Sequence, residues 1–124
     1  MTFANRYAVL VLQSILAQAS RWGFVVTVDT DDNTVLVNST DAFHVSDICE
    51  LHRKVTLFFD EPNKRWNTFE SRAVITFDLD AGIQCIVRAV NQWDGGTDYA
   101  RDLLGDARAI QRMIVAPLQL AQAA

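Results

Sequence analysis

His44, Cys49 and His52 fall within nine residues of one another, and Cys85 could join them as a fourth donor. Imidazole and thiolate are the ligands a structural zinc ion takes in tetrahedral array. If residues 47–53 form a helix, Cys49 and His52 share one of its faces. The spacing nevertheless matches no established zinc pattern, and buried thiols and hydrogen-bonded histidines are common without any metal. A Cys49 nucleophile would need an activating environment, and nothing in the sequence supplies one. Both cysteines are therefore read as reduced thiols, with no metal, cofactor or catalytic residue expected.

Two other spacings invite ligands. Asp29-x-Asp31-x-Asn33 copies the start of a calcium-binding EF-hand loop, but position six is Thr34 instead of glycine and position twelve is Thr40 instead of glutamate. A solvated turn accounts for these side chains, since Asp and Asn favour turns; Asp78-Leu79-Asp80 is assigned to a turn in the same way. Gly95-Gly96 ahead of a helix could cradle a phosphate, with Arg101 one turn inside, yet no lysine or second motif accompanies it. Arg101, Arg108 and Arg112 line one face of the same segment, and their neighbours Asp98, Asp102 and Asp106 make that face a solvated one.

Charge narrows the partners. The chain has 124 residues, is 50% hydrophobic and 21% charged, and carries a net charge of −4; its isoelectric point is near 4.9. That length fits one domain able to bury a sizeable core without disulfides or metals. Residues 23–61 hold eight acids against Arg53 and Lys54, whereas residues 62–124 hold seven of each sign. No cluster of lysine and arginine offers the footprint that polyphosphate binding needs, so direct nucleic-acid binding is not expected and a basic protein is the natural partner. Arg6 followed by YAVLVLQSILA and Ala17-Gln18-Ala19 loosely resembles a secretory signal, but Gln13 and Ser14 interrupt the apolar run, and no run reaches membrane-spanning length. The expected location is cytoplasmic.

The elements that must position these residues follow from periodicity. Residues 5–22 predict a helix, with Tyr7, Ala8, Val11, Leu12, Ile15, Leu16, Ala19 and Trp22 recurring at three and four, Asn5 as N-cap and Gly23 as C-cap. The apolar arc is wide and Leu10 lies outside it, which implies burial on more than one side. Phe24 to Ser39 predicts a hairpin with Asp31 and Asp32 at the tip, Val28 opposite Val35 and Val26 opposite Val37. Asp47 and Glu50 resemble a capping box for a short helix over 47–53. Residues 54–60 predict a strand with Val55, Leu57 and Phe59 inward. Pro62 then opens a loop that carries Lys64, Arg65 and Trp66. A second long strand follows over 69–79 with Ala73, Ile75 and Phe77 on one face. For residues 83–93 helix and strand patterns fit almost equally; the preceding Asp80-Ala81-Gly82 turn and the β-branched residues favour a strand. A last helix over 98–116 carries Tyr99, Leu103, Ala107, Ile110 and Ile114 as its core stripe and ends at Pro117.

The resulting architecture is a single α+β domain: an antiparallel sheet of about five strands, a long N-terminal helix, a short connecting helix and a closing amphipathic helix. This order of elements, with the small size and acidic isoelectric point, resembles that of the small dimeric type III secretion chaperones. No functional residue is carried over from that resemblance. The residues point to a cytoplasmic, non-enzymatic protein-binding module of the inhibitor or immunity type, acting on a basic protein surface. Asp29, Asp31 and Asp32 at the hairpin tip, with Asp60, Glu61 and the loop aromatic Trp66, form the expected partner-binding set. The uncovered apolar arc of the first helix adds a homodimer. The alternatives are a dimeric chaperone-like protein, and an enzyme or small-ligand protein with a cavity between sheet and helices.

Overall fold

A computed structural model describes residues 6–31, 33–63, 68–81, 85–91 and 102–113. The N-terminal helix α1 spans Arg6–Arg21 and buries Ala8, Val11, Leu12, Ile15, Leu16 and Ala19, the three-and-four spacing of one helical face. It stops because Gly23 turns to a positive φ of 79°. There Gly23 N–H donates to the Ser20 carbonyl at 3.1 Å and Phe24 N–H to the Ala19 carbonyl at 3.0 Å. This pair of bonds is a Schellman cap, and it satisfies carbonyls the helix end would otherwise leave open. Asn5, the expected N-cap, lies outside the described residues.

Five strands form one antiparallel sheet in the order β2-β1-β3-β4-β5, where β1 is Val25–Asp29, β2 Thr34–Ser39, β3 Lys54–Asn63, β4 Thr68–Asp78 and β5 Ile86–Asn91. Period-two alternation puts Val26 and Val28, Val55, Leu57 and Phe59, and Ala73, Ile75 and Phe77 in the core. The register stacks them in rows: Val26 pairs with Phe59 and Phe59 with Ala73, and Val28 pairs with Leu57 and Leu57 with Ile75. Residues 86–91 pair back on β4, so the β-branched reading of that segment holds.

The hairpin tip closes as expected, with Thr30 N–H donating to the Asn33 carbonyl at 2.9 Å and Asp29 paired with Thr34. Beyond that pair the expected register fails. Val28 faces Leu36 and Val26 faces Ser39, with irregularities after Asp29 and after Val28. Each bulge adds a residue to the edge strand, and Asn38 takes a positive φ of 49°. Val35 and Leu36 pack against the core, while Val37 is left exposed.

The connecting helix α2 spans Ala42–Glu50 instead of 47–53. Asp41, not Asp47, caps it, its carboxylate accepting from Phe43 N–H at 3.1 Å and His44 N–H at 3.2 Å. The earlier start is the work of this one side chain, which satisfies two of the orphan donors of the first turn. Strand β3 also runs past the expected stop at Asp60 as far as Asn63, with a register shift where Pro62 has no N–H to give.

A final helix, α3, occupies 102–113 of the described residues, within the expected 98–116. Leu103 and Ala107 are buried, and Leu104 and Ile110 pack against the same core. Tyr99, Arg101 and Ile114 lie outside the described residues. Helix α1 is tied to both of the others, by Gln13 Nε2 donating to Ser46 Oγ of α2 at 3.1 Å and Gln18 Nε2 donating to Asp106 Oδ2 of α3 at 2.9 Å. No helix among the described residues is long and apolar enough to cross a membrane.

Candidate docking surface

The His44, Cys49 and His52 spacing weighed above as a metal site does not become a donor cluster. Cys49 is fully buried on α2 and His44 stands exposed on the same helix, and no three metal-capable side chains cluster among the described residues. Burial, with a smaller contribution from the Glu50 charge, pushes the Cys49 thiol up to about 12. Burial raises Cys85 as well. A thiol in such surroundings keeps its proton at neutral pH, so its surroundings do not activate Cys49 as a nucleophile.

The hairpin set divides. Asp29 is half-buried and its Oδ1 accepts from the Thr34 hydroxyl at 2.6 Å, so this carboxylate holds the strand ends together. Asp31 is exposed at the tip. Asp32 and Trp66 lie outside the described residues. Glu61 is half-buried. Asp60 departs most from expectation, being fully buried and held by Arg72, whose Nε and Nη2 donate to its two oxygens at 2.5 and 3.0 Å. The Arg72 guanidinium also sits 4.9 Å from the centroid of the Phe58 ring. A carboxylate engaged on both oxygens and removed from solvent offers nothing to a partner. Asp60 is a structural residue, and it leaves the docking set.

Basic groups crowd the tip. Thr30, Asp31 and Asn33 line an open depression of about 450 Å³ together with His52, Arg53, Lys54 and Asp78. Arg53 is already paired with Asp80 at 2.6 Å. The acidic tip is thus faced by the cations that follow α2, and its field is mixed.

A cleaner surface lies on α2 itself. Phe43, Asp47, Glu50 and Leu51 stand at i, i+4, i+7 and i+8, all on the side opposite buried Val45 and Cys49. Phe43 is 85% exposed and Leu51 78%. Two apolar side chains two helical turns apart thus flank Asp47 and Glu50, and neither carboxylate forms an ion pair with a described residue. The sequence reading missed this face because it began the helix at Asp47, which hid the relation between Phe43 and Leu51. The signal was present in Thr40-Asp41, a capping residue directly ahead of the apolar-periodic run.

Comparison of the chain with family models, with curated proteins and with solved structures gives no match.

Proposed function

We propose that this protein is a small acidic protein-binding module of the cytoplasm, of the inhibitor or immunity type, that docks its α2 face on a basic surface of another protein. The observation that carries this reading is Phe43, an aromatic ring 85% exposed on a face whose charged neighbours are carboxylates. Burying such a ring removes a large apolar area from water, and aromatic anchors ringed by polar groups dominate the energy of protein interfaces. Asp47 beside the ring selects a partner that brings lysine or arginine, and Asp31 at the hairpin tip adds to the long-range steering. The same reading has the chain working as a homodimer.

The test is capture of partners from the native host followed by binding measurements on the purified pair. Phe43→Ala is expected to weaken binding by about tenfold or more, the size of a central anchor. Asp47→Asn is expected mainly to slow association, and raising salt to weaken the wild-type complex. A captured protein that binds Phe43→Ala and Leu51→Ala as tightly as wild type would overturn the α2 face as the docking site.

A further inference from the structure

The helices α1 and α2 run antiparallel along each other. Leu16 and Ser20 meet Ala42 around one small pocket, Gln13 bonds Ser46, and Arg6, Val9, Leu10, Gln13 and Glu50 line an open depression of about 420 Å³ at the far end. Val9 and Leu10 give that depression its apolar part, with Leu10 47% exposed, and Gln13 lines it beside them. Arg6 stands on one bank and Glu50 on the other. Although both line the same depression, they form no ion pair with each other or with any described residue.

From this arrangement we infer that the depression between α1 and α2 is the contact between two copies of this chain, with Arg6 of each copy paired to Glu50 of the other. A surface that carries one charge of each sign on opposite banks, with the exposed Leu10 side chain beside them, is complementary to itself. In an isologous dimer every contact occurs twice, so a two-fold axis through the depression forms two ion pairs and sets the Leu10 side chains together. Other partners fit it less well. A basic surface suited to Asp47 is repelled by Arg6, and an acidic one by Glu50. The inference rests on the self-association in the reading above, but it uses the groove between the helices and not the Phe43 ring.

Sedimentation velocity at micromolar concentration tests it on five proteins whose folding is checked by circular dichroism. The wild-type chain is expected to sediment as two copies. Arg6→Glu and Glu50→Arg are each expected to sediment as one, because each places like charges across the two-fold. The double variant, with both charges exchanged, is expected to dimerise again. Mixing the two single variants gives the sharper outcome. One of them presents a carboxylate on both banks and the other a guanidinium on both, so a mixed dimer should form. Monomeric wild type, single variants that remain dimeric, or a mixture that stays monomeric would each overturn the inference. Phe43→Ala is expected to stay dimeric; its dissociation would place the contact on the outer face of α2 and overturn the groove, whereas loss of partner binding alone concerns the docking reading.

Discussion

Cys49 illustrates how one residue's surroundings decide its chemistry. Its side chain is fully buried and its thiol is raised to about 12, whereas an unfolded chain releases the same proton near 9. Between those values the unfolded state holds fewer protons than the folded one, so stability falls as pH rises through that window. Urea unfolding of wild type measured beside Cys49→Ala is expected to show this: the gap between the two curves stays constant up to about pH 8 and changes against the wild type above it. An equal pH dependence for both proteins would show that Cys49 ionises as freely folded as unfolded. Asp60 makes the complementary point. In sequence it is one acid among the eight of residues 23–61; in the folded chain its position on β3 sets it opposite Arg72 of β4. Nothing local to Asp60 signals that pairing, because it depends on the register of two strands. For the same reason the burial of Asp60 could not be read from charge alone.

At the scale of elements, the sheet was legible and so was a connecting helix, but the bounds of that helix were not. Alternation at Val55, Leu57, Phe59 and at Ala73, Ile75, Phe77 fixes which face is inward, since the side-chain period of a strand leaves no other choice. Residues 40–53 lack such a pattern, and there the outcome turned on which aspartate caps. Asp41→Ala removes the acceptor for two N–H groups and is expected to cost about 1 kcal/mol, while Asp41→Asn keeps a capping oxygen and is expected to cost much less. Chemical denaturation of the two variants decides it, and equal losses would mean that α2 is held by packing alone. The register of the edge strand β2 escaped prediction for another reason. A bulge costs no residue type that a sequence pattern would flag, yet each one moves every later side chain to the opposite face. The candidate site shared this fate: Asp31 was visible as an exposed turn acid, whereas the alignment of Phe43 with Leu51 exists only if the helix starts at Ala42.

At the scale of the whole molecule, the helices divide the work. Helix α1 is the keystone of their layer, bonded to α2 on one flank and α3 on the other, and the surfaces proposed for partner and for self-contact lie on α2 and in the α1–α2 groove beside it. The sheet behind them joins two halves that are each local in sequence: the β1–β2 hairpin with α1 and α2, and the β3–β4–β5 meander. They meet along one seam, the five register pairs from Val25 with Asp60 to Asp29 with Thr56. Strands within either half are joined by short connections, but the seam closes only when the chain from Thr30 to Arg53 has been looped back, and the entropy of that closure opposes early formation. The order of events in folding follows from this. Stopped-flow kinetics on Val28→Ala, placed in the seam, are expected to show unfolding accelerated severalfold with the folding rate nearly unchanged, whereas Ile75→Val in the meander should slow folding. A Val28→Ala protein that folds slowly and unfolds at the wild-type rate would mean that the seam forms first. If the expected order holds, the docking helix is completed on a sheet that is only half built, and a nascent or partly unfolded chain exposes the inner edge of β3 to any strand able to take the place of β1.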